Sequence, residues 1–187
     1  MAYVLLPELP RQARVRQRVL RFGTDLNPVL GGPTQRLSRL GARFAIEVTL
    51  PPLDLPCARA WLAARAKAEA EGLNVRLVMP QLGDGAALTG RTVVSGAGAT
   101  MTVDNATGIE PGMLFSFVDA VPNHAYLHQV TAVSGSDLSV APLLRVNPAG
   151  FPLRFDAPRV QGFLDELAWD LERLRFVGQT FTLTESR

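Results

Sequence analysis

Two histidines are the first residues whose types and spacing could support chemistry. His124 and His128 are the two histidines of the chain, and three residues separate them. Zinc sites often use such a spacing. Two ligands do not complete a zinc site, however, and no third residue at a metal-ligand spacing accompanies them. We therefore expect no metal here and predict that both side chains either face solvent or have a structural role.

A second candidate is a group of carboxylates close to the end of the sequence: Asp165, Glu166, Asp170 and Glu172. Two of them could in principle serve as the acid and base of a glycoside hydrolase. They alternate with leucines in an amphipathic stretch, which is typical of a solvated face. The sequence also contains no Gly-x-Ser-x-Gly elbow and no cofactor signature. We therefore predict that the protein is not an enzyme and binds no cofactor.

Two glycine-rich stretches resemble phosphate-binding loops only superficially. Gly31 and Gly32 are not followed by the Gly-Lys-Ser/Thr sequence of a P-loop, and "GAGAT" at 96–100 lacks the later acidic residue of a dinucleotide site. We interpret both stretches as flexible connections. The single cysteine, Cys57, excludes an internal disulfide, and we expect it to be a small buried residue of a helix.

The composition is that of a globular protein, with 187 residues, 47% hydrophobic and 19% charged. No segment approaches the roughly 20 apolar residues of a membrane span, and we expect no secretory signal and no membrane insertion. The net charge of +2 is too small to imply a polyanionic partner. Arginines nevertheless crowd the first quarter of the chain. Three interpretations remain open for them: a solvated face, a subunit contact or a nucleic-acid contact.

The first half of the chain predicts strands around one helix. "RFAIEVTL" at 43–50 alternates between apolar and polar residues, which indicates a half-buried strand. Pro56 and Gly72 bracket an alanine-rich stretch that predicts a helix at about 55–71. "NVRLVMP" at 74–80 predicts another strand, and "VRQRVLRF" at 15–22 favours one as well.

The second half predicts many short strands. Five or six of them within about 70 residues indicate a small barrel or sandwich. The segment 160–175 is ambiguous. Val160, Leu164, Leu167, Leu171 and Leu174 have helical spacing, whereas the following "TFTLTE" is a strand pattern.

Two long stretches carry a resemblance to a known family. The first runs from "GGPTQRLSRLGARF" through an Ala/Trp helix to "NVRLVMP"; the second comprises "YLHQVTAV", "LSVAPLLRV", "LRFDAPRVQGFL" and "GQTFTLTE". Together they resemble the distal tail proteins, the tail-tip or baseplate adaptors of long-tailed bacteriophages and gene-transfer particles. The resemblance implies a mainly β, α+β fold with one flanking helix: a tail-tube-like β-sandwich with an inserted small β-barrel.

The same resemblance implies an organisation and a function. Residues 1–83 and 159–187 would form the ring domain, residues 84–158 would form an inserted barrel of the oligonucleotide/oligosaccharide-binding type, and 160–175 would continue as strands. The protein would be a structural virion protein in a hexameric ring that connects the tail tube protein to the hub and baseplate proteins. It would assemble in the host cytoplasm and act at the virion tail tip, with DNA only in transit through the lumen.

Within this interpretation the basic loop at 27–44 becomes a subunit contact, with Arg36, Arg39 and Arg43 as candidate interface residues. Arginine suits this role because its planar donors bind carboxylates bidentately. The alternative function is a carbohydrate- or nucleic-acid-binding module that acts through the 84–158 barrel. Its available aromatic residues are Phe115, Phe117 and Tyr126, of which the first two alternate into a predicted core.

Overall fold

A computed structural model describes residues 2–26, 31–33, 35–38, 41–81, 83–119, 123–165, 170–172, 175–177 and 179–186. The predicted fold class is confirmed, because the chain is mainly β with one flanking α-helix. The described elements, in chain order, are β1 (Tyr3–Leu5), β2 (Arg14–Leu20), β3 (Gly23–Leu26), β4 (Gln35–Ser38), β5 (Arg43–Leu50), α1 (Leu55–Glu71), β6 (Asn74–Val78), a short 3-10 turn (Ala86–Leu88), β7 (Val93–Ala97), β8 (Thr100–Val103), β9 (Leu114–Asp119), β10 (His124–Ser134), β11 (Asp137–Ala141), β12 (Arg159–Asp165), β13 (Asp170–Glu172), β14 (Arg175–Val177) and β15 (Gln179–Glu185).

A six-stranded sheet takes strands from both ends of the sequence. Its order is β1-β6-β12-β15-β5-β2, with β1 parallel to β6 and all other neighbours antiparallel. A five-stranded sheet, β7-β8-β11-β10-β9, comes from the sequence between β6 and β12. The hairpin β3–β4 lies in the connection from β2 to β5, and the hairpin β13–β14 lies between β12 and β15. Whether residues 84–158 can fold or be removed as a separate unit stays a prediction.

The helix α1 begins and ends where the sequence predicts. Asp54 caps it by accepting a hydrogen bond from the Cys57 amide at 3.3 Å, and Gly72 ends it in the left-handed conformation at φ 61°. Its buried residues are Ala58, Trp61 and Ala68. The prediction that Cys57 is buried is wrong, because that side chain lies outside this face and is exposed.

Two hydrophobic cores lie on the two sides of the β9–β10 pair. The predicted alternation of β5 is confirmed, since Phe44, Ile46, Val48 and Leu50 are all buried in the core between α1 and the six-stranded sheet. Leu114 and Leu127, from β9 and β10, belong to the same core. The opposite faces of β9 and β10 contribute to a second core inside the five-stranded sheet. Packing on both faces explains why burial is continuous over 114–117 of β9 and 124–128 of β10 rather than alternating.

The ambiguous segment forms strands where it is described. Val160 is fully buried and Leu164 packs against the first core, both from β12, so their helical spacing is misleading. Gly162 explains why pairing prevails over that spacing: a Cβ at this position would lie 2.0 Å from the Thr184 carbonyl oxygen, so glycine permits the close approach of β12 and β15. Leu167 and Leu174 lie outside the described residues.

Candidate interface and the joint between the two sheets

The structure places the three predicted interface arginines at different positions of the β2–β5 connection. Arg43 is the first residue of β5, is partly buried, and has its guanidinium carbon 5.0 Å from the centroid of the Phe22 ring. Arg36 lies on β4 and is the register partner of Asp25 on β3. Arg39 lies outside the described residues. Arg36 and Arg43 thus lie on different strands. The described residues do not show a site shared by the three predicted interface arginines.

A second group of arginines from the basic first quarter of the chain, not among the predicted interface residues, lies on the neighbouring strand. Arg14, Arg16 and Arg18 alternate along one face of β2 and are exposed. In the described sheet β2 pairs with β5 only, so it is an edge strand. The one acidic residue opposite this row is Glu47, the register partner of Arg16. The period-two spacing of these arginines in "RVRQRV" was the signal that could have identified them.

Beside this row lies an open groove of about 330 Å³, whose lining includes Arg16, Arg18, Glu47 and Thr182. Its walls also include Gln17 and Ala45, so charged and polar side chains line it together with one small apolar residue. Such a groove suits polar contacts with another molecule better than enclosure of an apolar ligand.

A buried carboxylate connects the two sheets at the end of β15. Glu185 accepts hydrogen bonds from the Leu127 amide of β10 at 3.3 Å and from the Phe44 amide of β5 at 3.1 Å. Its Oε2 also lies 3.2 Å from Nη2 of Arg145, which follows β11. Burial raises the pKa of Glu185, while Arg145 and the two amides lower it. The buried charge is thus compensated by one cation and two backbone donors.

A second polar contact crosses the same joint. Gln161 Oε1 on β12 accepts from Arg76 Nη2 at 2.6 Å and from the Ala125 amide at 3.3 Å. Arg76 also donates to the Asn123 carbonyl at 2.9 Å. The amides of Ala125 and Leu127 lie at alternate positions of β10, before this strand begins to pair with β11 at Gln129. Gln161 and Glu185 therefore satisfy an edge of β10 that pairs with none of the described strands at these positions.

The two histidines lie inside this region and not at the surface. His124 is 1% and His128 3% exposed, so the structural alternative holds and the solvent-facing one is wrong. Nδ1 of His128 lies 2.9 Å from the Pro142 carbonyl, and its ring stacks on Phe117 with centroids 5.5 Å apart. Burial lowers the pKa of both histidines to about 4, and in each case the positive charge of Arg145 adds to this effect.

The candidate chemical sites do not assemble in the described part of the chain. No group of three or more His, Cys, Asp or Glu side chains with a metal-binding arrangement occurs among the described residues. Asp165 accepts a hydrogen bond from the Thr184 hydroxyl at 2.6 Å, whereas Asp170 lies on the separate β13–β14 hairpin and Glu166 is outside the described residues. Asp165 thus lies on a different element from Asp170 and Glu172, which are the two ends of the short strand β13.

The aromatic residues of the five-stranded sheet are not available as a stacking platform. Phe115 and Phe117 are fully buried and Tyr126 is 7% exposed. On the outer face of this sheet, an open groove of about 460 Å³ is lined by Thr100, Thr102, Asp137 and Asn147, among others. The Thr102 hydroxyl donates to Asp137 at 2.6 Å. This surface offers hydroxyl, amide and carboxylate groups to a polar ligand.

Comparison with known proteins adds no family assignment: no protein-family model matches the chain, and no curated protein matches it either. In the part of the chain that the structure describes, α1 is too short and too polar to cross a bilayer.

Proposed function

We propose that this chain is a structural adaptor of a phage-like tail tip, in which identical copies form a closed ring. The observation that carries the proposal is the arginine-bearing edge of the six-stranded sheet. There β2 has a pairing partner on one side only in the described sheet, and Arg14, Arg16 and Arg18 are exposed along it. The connection that carries Arg36, Arg39 and Arg43 starts directly after this strand.

The physical argument is that such an edge favours contacts with another protein. An edge strand presents unpaired backbone donors and acceptors, and arginine forms bidentate contacts with carboxylates. A closed ring repeats each favourable contact in every copy. The resemblance in sequence supports six copies, a tail tube protein on one side and hub or baseplate proteins on the other. DNA would only pass through the lumen, and the site of action would be the tail tip after assembly in the host cytoplasm.

The test combines a mass measurement with a charge-removal variant. Native mass spectrometry of the purified chain, alone and with its tail partners, should show a species of about six times 20.2 kDa. Changing Arg36, Arg39 and Arg43 to serine should abolish that species and the incorporation of the protein into tails. Since Arg43 is partly buried over Phe22, a double variant at Arg36 and Arg39 separates loss of the contact from loss of packing.

The matched control removes the same charge elsewhere. Arg59, Lys67 and Arg154 are exposed and lie away from the β2–β5 connection, so their replacement by serine should leave the ring intact. A ring that survives the change at 36, 39 and 43 would contradict the assignment of these arginines to the subunit contact. So would tight DNA binding that weakens with salt at about −0.9 per phosphate contact and is lost in the variant while tails still assemble.

The polar groove on the five-stranded sheet favours a second candidate function, carbohydrate binding. Asp137 and Asn147 could accept and donate hydrogen bonds to sugar hydroxyls there. A glycan array should then show binding that Asp137→Ala abolishes, whereas the adaptor proposal expects no such binding and a ring that is unaffected by this change.

A further inference from the structure

We propose that Arg145 is a positioning residue: it reaches from the five-stranded sheet to fix the point at which the arginine-bearing loop 27–42 rejoins the six-stranded sheet. The candidate interface would then depend on both sheets, although Arg36 and Arg43 lie outside the five-stranded sheet. The importance of this contact for ring assembly rests on the proposed function; the contact itself does not.

Arg145 binds three groups that belong to the six-stranded side of the molecule. Its Nη2 donates to the Ala42 carbonyl at 2.6 Å and lies 3.2 Å from Oε2 of Glu185. Its Nη1 donates to the Ser186 carbonyl at 3.4 Å. The Arg145 side chain is 14% exposed and that of Glu185 is 2% exposed, so water screens the ion pair only weakly.

The same ion pair holds the backbone on both sides of Arg43. Arg145 binds the carbonyl of Ala42, and Glu185 Oε2 accepts from the amide of Phe44 at 3.1 Å. Just before this point Gly41 has φ 128°, a conformation that favours glycine and lets the chain turn into β5. The direction in which the loop meets the sheet is thus set by one buried guanidinium–carboxylate pair.

Two residues on either side of this loop are also in contact with each other. Phe22 is the second residue after β2, and the Arg43 guanidinium lies 5.0 Å from the centroid of its ring. A displacement of residues 42–44 would therefore move Arg43 and alter its contact with Phe22. Loss of Arg145 should release this end of the loop while the ladder of β5 with β2 and β15 remains.

A matched control exists because another buried arginine crosses the same joint without touching the loop. Arg76 binds Gln161 and the Asn123 carbonyl and is likewise almost fully buried. Changing it should loosen the contact between the sheets near β6 and the start of β10. It should leave the hydrogen bonds of Ala42 and Phe44 in place.

The experiment is hydrogen–deuterium exchange, read by mass spectrometry, on full-length wild type, Arg145→Met and Arg76→Met. In Arg145→Met, peptides that cover 41–46 should exchange about tenfold faster or more, as expected when an amide loses its protection by local opening. Peptides that cover β6 should exchange as in wild type. Arg76→Met should show the opposite pattern. Equal acceleration of both regions in both variants, or none at 41–46 in Arg145→Met, would overturn the inference.

A second variant separates positioning from simple loss of stability. Arg145→Met leaves the Glu185 carboxylate buried without its cation, which by itself could unfold the chain. Arg145→Met combined with Glu185→Gln removes that charge and should restore the melting temperature, yet exchange at 41–46 should stay fast. If exchange returns to the wild-type rate together with stability, Arg145 has no positioning role. If exchange behaves as expected but the ring still forms, the positioning stands and the proposed role of the loop in assembly fails.

Discussion

Acidification should destabilise this fold through its two buried histidines. Burial and nearby arginines lower the pKa of His124 and His128 from 6.5 to about 4. Between about pH 6.5 and pH 4 the unfolded chain therefore binds up to two protons that the folded chain does not bind. The free energy of unfolding must fall as the pH decreases from about 6.5 to about 4.

The size of this effect follows from the shift. At about 1.4 kcal/mol per pKa unit, each histidine contributes on the order of 3 kcal/mol above pH 6.5 that is lost at about pH 4. Near pH 5 the slope should be about 1 kcal/mol per pH unit for each histidine. Glu185 acts in the opposite direction. Since its pKa is raised, the folded chain takes up that proton first, and this contribution increases stability as the pH falls.

Urea unfolding at constant ionic strength, followed from pH 7 to pH 4.5, measures the slope. His128→Phe keeps a ring beside Phe117 and should reduce the slope by about 1 kcal/mol per pH unit, whatever its effect on stability at pH 7. His124→Phe should do the same, and the two effects should add. Tyr126→Phe, at a buried residue between them on the same strand, is the control and should leave the slope unchanged. A slope that is the same in wild type and in the double histidine variant would refute the argument.

The remaining predictions concern the metal and the sheet. Protein purified without an affinity tag should contain clearly less than one zinc per chain by elemental analysis, and one zinc per chain would overturn the assignment of His124 and His128 as structural. Gly162→Ala should destabilise the fold by about 3 kcal/mol or prevent folding, because the added Cβ would lie 2.0 Å from the Thr184 carbonyl oxygen; a melting temperature close to wild type would show that β12 and β15 can move apart at little cost.

The sequence predicts this fold best where local pattern and long-range pairing agree. The alternation of β5 and the capped ends of α1 are visible locally, because the buried face and the helix ends depend on residues close in sequence. In β12 the local pattern and the long-range pairing disagree. The spacing of the apolar residues is helical, but pairing with β6 and β15 makes the segment a strand. Local pattern also fails for the histidines, which are buried because β10 is covered on both faces.

The joint between the sheets could not have been predicted from the sequence. Arg145 and Glu185 are 40 residues apart, and Arg76 and Gln161 are 85 apart. Each of these residues taken alone has the character of a solvated side chain, and only the packing of β10 against β12 brings it to a backbone that needs a partner. The need for these polar residues becomes visible only in the folded structure, where two amides at an unpaired edge of β10 require acceptors.

Removal of residues 84–158 is the perturbation that best tests how the two sheets depend on each other. The ends of this segment are already close, since Val78 of β6 pairs with Arg159 of β12 and the Met79 amide donates to the Pro158 carbonyl at 2.7 Å. A short Gly/Ser linker can therefore join them at a small cost in loop closure. All six strands of the larger sheet and α1 lie outside the removed segment, so we expect a folded remainder.

That remainder should nevertheless be less stable than the full chain. It loses Leu114 and Leu127 from the first core, each worth about 1.5–3 kcal/mol of burial, together with the Arg145 contact to Ala42. Circular dichroism should retain the helix signal and proton NMR should retain dispersed resonances, with a lower urea midpoint and fast exchange at 41–46. An unfolded product would mean that the six-stranded sheet needs β9 and β10 to fold. Residues 84–158 would then be an insertion in the sequence but not a separable domain.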